Sequence, residues 1–398
     1  MKCVLCSDID LEYKFRHMTS KKQLEYTSDQ LENLNQFLTE CNEINPELLF
    51  IAGNLFGTSK PKNRTINHVN QCFKKITNQG TEIIILPGPH DTPLPFSNDR
   101  PAHHIFSDNN KIHFLNTYRE KIFKKVEDPL FEGKIANKDF QIFSPPSPFQ
   151  RPDWFVYNLQ TKSDYCRVFV VSNLFNFKRN VAEIFRDLLE KLKNSNIDLM
   201  ILGGGKIPPN VKIDSYPFQI IQAPQIHQNS FQFCECEHGL SVHSYGNKKL
   251  KEIKDNTHYI PISKFRLIHE KIDVSSLSVT ELNEKIKDVI RAHNHPKKNI
   301  LRVSLIGKME KPKYHSIKIY EFREMGRRIT YYFELLDNIK FSETSPDIQG
   351  LNVLDELEKF AEKKIRSMKE GENITKDSPK ISIYKNSIEK IKEDWKNL

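Results

Sequence analysis

At 398 residues, with a net charge of +9 and 38% hydrophobic residues, the chain is long enough for two or three domains and a sizeable core, which excludes a stapled miniprotein. Its seven cysteines show neither a disulfide framework nor a paired zinc spacing, as expected in a reducing compartment. No apolar run reaches the length of a membrane span, and the N-terminal MKCVLCSDID lacks the apolar core of a signal peptide. A soluble protein of the cytoplasm or nucleus, without membrane contact, is expected.

The first predicted strand, Cys3 to Ser7, is apolar, so Cys3 and Cys6 read as core thiols rather than a redox pair; Cys234 and Cys236 read the same way. Thr27 and Gln30 form a capping-box pattern for a helix whose Leu31, Leu34, Phe37, Leu38 and Cys41 share one face, closed by Pro46. Strand Leu48 to Ala52 follows, then a helix with Ile66, Val69, Phe73 and Ile76 on one face, ended by Gly80, then strand Ile83 to Leu86. This β-α-β-α-β order predicts an α/β fold, a sheet with helices on its faces.

The third strand stops abruptly within TEIIILPGPHDTPLP (81–95), where a Pro-Gly turn presents His90 and Asp91. Two later strands, Arg167 to Ser172 and Asp198 to Leu202, run into Asn173-Leu174-Phe175 and Gly203-Gly204-Gly205-Lys206. Ligands of such sheets bind beyond the carboxyl ends of the strands. There the chain places Ser7-Asp8-Ile9-Asp10, Gly53-Asn54-Leu55-Phe56 and the turn from Gly88 to Asp91, so five strand ends are expected to converge on one site.

Residues 263–338 change character. Ser278 and Glu281 form a capping box ahead of a helix with Leu282, Ile286, Val289 and Ile290 on one face. Strands are predicted from Leu301 to Leu305, Ile317 to Phe322 and Ile329 to Leu336. Residues 263–350 carry 17 Lys/Arg against 12 Asp/Glu, the pattern of a localised polyanion-binding surface or of an ordinary solvated Lys-rich one. Lys297, Lys298, Lys308, Lys311, Lys313, Arg327 and Arg328, placed at strand ends or turns, are the candidates for phosphate contacts. After a polar linker (339–350), residues 351–398 hold two amphipathic stretches. Their apolar stripes include Leu354, Leu357 and Ile365, then Ile388, Ile391 and Trp395.

The Gly88-Pro89-His90-Asp91 turn resembles the Gly-Asn-His-Asp signature of calcineurin-like metallophosphoesterases. The order and spacing of the five motifs resemble the SbcD-type family, the nuclease subunit of the double-strand-break repair complex that works with an SMC-like ATPase. Gln222 to Ile226, followed by Phe231, looks like the family's Pro-Gly-Ser strand. The resemblance implies a metallophosphoesterase-type β-sandwich flanked by helices (1–262) and a small α+β DNA-capping-like domain (263–338). It further implies, after the linker, a helix-loop-helix segment (351–398) that grips the ATPase's coiled coil.

The family's metal ligands are mostly replaced. Asp8 matches, but Asp10 stands where the family has histidine, Asn54 where it has the bridging aspartate, and Pro89 where it has asparagine. Ser172 or Asn173 takes the place of the lone histidine, and Gly204 and Lys206 replace the last two. His90, with its neighbour Asp91, resembles the proton donor, here vestigial, and Lys206 after three glycines could hold a phosphate. Each survivor also has a purely structural reading: Asp8 bonding backbone at a strand end, Asp91 capping the turn, His90 a satisfied turn residue.

The resemblance therefore implies a catalytically degenerate subunit that binds DNA and an SMC-like ATPase without a cofactor, as a homodimer or beside an intact paralogue. One alternative is a manganese-dependent nuclease using Asp8, Asp10, Asn54 and His90 around one ion. Another is a polymerase accessory subunit with an inactive phosphoesterase domain; that class carries a β-barrel ahead of the domain, for which a motif starting at Ser7 leaves no room.

Overall fold

The computed structural model describes residues 1–15, 18–93, 100–106, 108–115, 125–145, 151–172, 181–204, 207–208, 210–227, 231, 239–246, 249–252 and 265–341. Contacts divide the chain into two compact units, Met1–Ile306 with Lys318–Asn338, and Gly307–Ile317 with Ile339–Leu398. In chain order the elements begin β1 (Lys2–Cys6), α1 (Ser20–Ile44), β2 (Leu48–Ala52), α2 (Asn63–Asn78), β3 (Glu82–Leu86), β4 (Ile112–Phe114), β5 (Lys125–Val126), β6 (Phe131–Ile135), β7 (Lys138–Phe143) and β8 (Val156–Tyr157). Next come β9 (Cys166–Val171), α3 (Val181–Leu192), β10 (Leu199–Gly203), β11 (Gln219–Ala223), β12 (Ser241–Gly246) and β13 (Lys249–Glu252). The last are β14 (Arg266–Asp273), α4 (Val279–Ala292), β15 (His295–Met309), α5 (Lys311–His315), α6 (Ile319–Ile329) and β16 (Thr330–Phe341).

A six-stranded sheet runs β13-β12-β1-β2-β3-β4, and a five-stranded one runs β11-β10-β9-β7-β6. The pairs β1–β2, β2–β3, β9–β10 and β10–β11 are all parallel. Cys3, Leu5, Leu48, Phe50, Ile84 and Leu86 on one face of the first sheet meet Phe140, Ile142, Val168, Val170, Leu199 and Ile201 of the second. On the first sheet's other face, Val4, Cys6, Leu49, Ile51, Ile83 and Ile85 pack on Leu34, Phe37 and Leu38 of α1 and Val69, Phe73 and Ile76 of α2. The second sheet's far face, with Phe169, Val171, Met200 and Leu202, packs on Ile184, Phe185, Leu188, Leu189 and Leu192 of α3. The layers are helix, sheet, sheet, helix, in keeping with the expected α/β class. Because strands such as β2 and β3 are covered on both faces, they read as unbroken apolar runs rather than alternations. Each fully buried Leu, Ile or Phe contributes roughly 1.5–3 kcal/mol.

The helix predicted from Thr27 starts seven residues earlier, at Ser20, and Thr27 lies inside it. Tertiary packing lengthens it: Tyr26, 2% exposed, is buried with Phe15, Phe265 and Tyr331. Its end follows the sequence. Asn45 takes the left-handed conformation (φ 47°) and donates to the Cys41 carbonyl, and Pro46 cannot continue the helix. The α2 N-terminus has no side-chain cap of its own. Glu12 supplies one from the β1 loop, accepting from the Lys62 N–H at 3.1 Å and from the Thr65 hydroxyl.

A three-stranded sheet, β14-β15-β16, follows. The predicted capping box is present, with the Ser278 hydroxyl accepting from Glu281 N–H at 3.2 Å and Glu281 accepting from Ser278 N–H at 2.8 Å. The strand predicted at 317–322 is instead the start of helix α6. Its IKIYEF run alternates as a strand would, but Phe322 and Gly326, four apart, are both buried on one helical face. Gly326 lets α6 approach Phe333, whose ring would lie 2.2 Å from a Cβ at that position. Phe15, Tyr26, Phe231, Phe265, Leu267, Ile300, Tyr331 and Tyr332 form one apolar cluster joining the β1–α1 region to this sheet.

In the second unit, the described residues include α5 and an edge-on contact of Tyr314 with Phe341 at 5.3 Å. Leu354, Leu357, Ile365, Ile388, Ile391 and Trp395 lie outside the described residues, as do Lys206, Asn173, Cys234 and Cys236. Cys3, Cys6, Cys41, Cys72 and Cys166 are all buried thiols. Among the described residues no helix is long and apolar enough to cross a membrane.

Candidate functional site

The loops after β1, β2 and β3 run side by side. Asp8 N–H donates to Gly53 O, Asp10 N–H to Asn54 O and Leu11 N–H to Leu55 O, at 2.8–3.1 Å. Asp8, Asp10 and Asn54 all take left-handed backbone conformations (φ 47°, 48° and 45°). Among non-glycine residues only Asn and Asp enter that region readily. The residue types at these three strand ends are thus favoured by the backbone as well as by any chemistry.

Asp8, 6% exposed, has both carboxylate oxygens engaged. Asn54 Nδ2 donates to Oδ1 at 2.8 Å and Gln225 Nε2 donates to Oδ2 at 2.7 Å. Asn54 turns its amide oxygen to the His90 backbone N–H at 3.0 Å. Asp10 Oδ1 lies 2.9 Å from His90 Nδ1, and the His90 side chain is 40% exposed while Asp10 is 4%. Gly88 makes room for this arrangement: a Cβ there would sit 2.0 Å from Asn54 Oδ1. The ends of the other strands close the floor. Ser172 Oγ donates to Pro87 O at 3.0 Å, and Gly204 N–H donates to Ser7 Oγ at 3.1 Å.

Burial, and then the Asp10 charge, push the Asp8 carboxyl up to about 7 against the opposing hydrogen bonds of Asn54 and Gln225 and the charge of His90. For His90, burial acts downward, but Asp10, by charge and hydrogen bond, followed by the Asp8 and Asp91 charges, raises it to about 9. At neutral pH the exposed imidazole is therefore a cation paired with Asp10, not a free acid–base group.

Asp91 is fully buried and clamps the two loops together. It accepts from Gly88 N–H at 2.7 Å, Leu55 N–H at 2.7 Å and Phe56 N–H at 3.4 Å. His103 Nε2 lies 3.0 Å from the same carboxylate, out of hydrogen-bond alignment, with its ring stacked on Phe114 at 5.2 Å. The sequence reading had Asp91 cap the turn that follows; its contacts instead hold Gly88 of the turn before it and the loop after β2.

A two-metal centre needs several carboxylates and imidazoles with free lone pairs. Here both Asp8 oxygens face amide N–H groups, the Asn54 oxygen is used, and Asp10 is held by a cation. The ends of β9 and β10 supply Ser172 and Gly204, neither of them a carboxylate or an imidazole. The donor set does not fit such a centre, and among the described residues no three His, Cys, Asp or Glu side chains are grouped to hold an ion.

The predicted phosphate-contact residues that are described lie on three elements. Lys297 and Lys298 are exposed near the start of β15 and Lys308 near its end. Lys311 and Lys313 are helical rather than in a turn, and Arg327 and Arg328 form the last turn of α6. Lys313 pairs with Glu310 at 3.3 Å and Arg327 with Glu324 at 2.9 Å, surface pairs that hold their cations weakly.

Several polar residues of the site were not expected there: Gln30 read as part of a capping box, Gln225 as part of a strand, and His227 was not singled out. Gln225 follows β11 and bonds Asp8. Gln30 bridges the Asp10 carbonyl and the Glu12 N–H at 2.8 and 3.0 Å. His227, 2% exposed, lies with Nδ1 2.5 Å from Ile9 O and Nε2 3.0 Å from Asn33. Burial lowers its pKa, so it is a neutral spacer under the loop. The available signal was a polar residue at a strand's carboxyl end, which Gln225 and His227 both satisfy.

No protein-family model matches this chain, and neither does any curated protein.

Proposed function

We propose that the protein is a catalytically degenerate SbcD-type subunit, binding DNA and an SMC-like ATPase without cutting. The observation that carries the loss of catalysis is Asp8, whose two oxygens accept from Asn54 and Gln225 amides in place of a metal. With no metal-bound water, a cation at His90 has no nucleophile to serve. The convergence of five strand ends and the excess of 17 Lys/Arg over 12 Asp/Glu in residues 263–350 support the remainder of the reading. A second reading, a manganese-dependent nuclease around one ion, is favoured by one observation: Asp8 and Asp10 are buried together, and the Asp10 charge helps to raise Asp8. The polymerase accessory subunit has no observation of its own.

Titration calorimetry with manganese and digestion of a labelled oligonucleotide separate the two. No binding at micromolar manganese and no cleavage are expected. Tight binding, with cleavage that disappears in Asp8→Ala, would establish the second reading instead.

The ATPase contact is assigned to residues 351–398. Their deletion is expected to abolish co-purification with a coiled-coil ATPase while shifting the melting temperature of the remainder by less than about 2 °C. If the shortened protein unfolds, the two amphipathic stretches belong to its own core.

A further inference from the structure

Arg302 projects from β15 onto the face of the small sheet that carries His269 and Ser304. Its guanidinium carbon lies 4.0 Å from the centroid of the Phe231 ring, within cation–π range. Phe231 is 3% exposed, so one face of the guanidinium is covered. One edge is fixed as well: Nε and Nη2 both approach Glu334 Oε2, at 2.8 and 2.7 Å. The Arg302 side chain is nevertheless 26% exposed. Among the described residues, its hydrogen bond and ion pair both use the Nε and Nη2 edge, toward Glu334.

Rings lead from this group to the candidate site. Phe231 contacts Phe15 at 6.0 Å, Phe15 contacts Tyr13 at 5.3 Å, and Tyr13 contacts His90 at 5.6 Å. Tyr13 is only partly buried at the rim of this cluster, and its hydroxyl lies within the electrostatic reach of both Arg302 and Glu334. A guanidinium set over a phenyl ring and paired with a carboxylate attracts phosphate poorly. It offers a rigid π-surface and one donor edge, which suits a nucleobase.

We propose that Arg302, backed by Phe231 and flanked by Tyr13, is a stacking shelf for an unpaired base at the end of a bound DNA. This rests on the DNA-binding reading above and names the part of the substrate taken near the degenerate site.

The test uses the full chain and two hairpin DNAs labelled in the loop, one with a two-nucleotide single-stranded overhang and one with the same overhang made abasic, followed by fluorescence anisotropy over a salt series. Wild type is expected to prefer the overhang with bases by on the order of tenfold. Arg302→Lys, which keeps the charge but not the plane, and Tyr13→Leu should lose that preference, while Tyr13→Phe keeps it. Binding of the abasic hairpin and the salt slope should stay unchanged in all three variants, which also reports that they are folded. Equal wild-type affinities for the two hairpins, or a preference that survives Arg302→Lys, overturns the shelf and leaves DNA binding intact. A reduced salt slope in Arg302→Gln, which removes the charge, makes Arg302 a phosphate contact and likewise overturns it. Failure of wild type to bind either hairpin removes the DNA-binding reading together with the shelf.

Discussion

Replacing Gly203 with alanine is expected to destabilise the protein by about 3 kcal/mol or more, the upper range of overpacking effects. Gly203 ends β10, paired with Ala223 of β11, where the two sheets converge. A Cβ there would lie 1.7 Å from the Ala52 carbonyl oxygen and 2.8 Å from its carbon. Neither obstacle is a side chain that can turn away; both are backbone of the facing sheet. The substitution must therefore part the sheets at their carboxyl ends, which disturbs Gly204, Ser7 and the Asp8 loop together. Gly246→Ala, with nothing within 4 Å of the added carbon, is the control and should change stability by less than about 0.5 kcal/mol. Urea unfolding of both variants measures this, and a loss below about 1 kcal/mol for Gly203→Ala would show that the sheets are less tightly apposed than the geometry requires.

Asp8→Asn is expected to be more stable than wild type at pH 8 and nearly equal to it at pH 4. Burial, and then Asp10, raise the folded-state Asp8 from 3.8 to about 7, so the folded protein binds more protons than the unfolded one between those values. Stability from this group is fully present below about pH 4 and is lost as pH rises through about 7. His90 acts in the same direction. Its folded value, about 9, lies above 6.5, so its contribution is present below the unfolded value and disappears as pH passes 9. Asparagine removes the Asp8 charge, retains the left-handed conformation, and leaves Gln225 able to reverse its amide. A shift of about three units corresponds to at most about 4 kcal/mol, and a gain of about 2–4 kcal/mol at pH 8 is expected. Unfolding curves at pH 4, 6 and 8 read it directly. Equal stability of the two proteins at pH 8 would mean that Asp8 stays comfortably ionised, as a carboxylate that can recruit a cation would.

On the proposed DNA-binding reading, the basic residues would act from separate elements. Lys297 and Lys298 at one end of β15, and Arg327 and Arg328 at the end of α6, sit on different elements. Any contribution they make is expected to be a sequence-independent phosphate contact rather than readout of bases.

What the sequence determined by itself is the alternation of buried strands and amphipathic helices. Apolar runs such as Leu48 to Ala52 and Ile83 to Leu86 are long enough to be covered on both faces, and the stripe from Leu34 to Cys41 has to be buried against another element. The capping box at Ser278 and the stop at Asn45-Pro46 are local chemistry, and local chemistry is legible residue by residue. The start of α1 was not, because it depends on partners distant in sequence, Phe265 and Tyr331 around Tyr26; nor was the identity of 319–329, whose alternating apolar residues fit a strand as well until Gly326 packs on Phe333. The site divides along the same line. Asp8, Asp10, Asn54, His90 and Asp91 were visible as polar residues ending apolar strands. Only the tertiary structure brought Gln225 across 217 residues to the Asp8 carboxylate, set Asp91 on three backbone amides, and laid Arg302 over Phe231, because a hydrogen bond or a stacked ring between distant segments leaves no periodic trace in the chain.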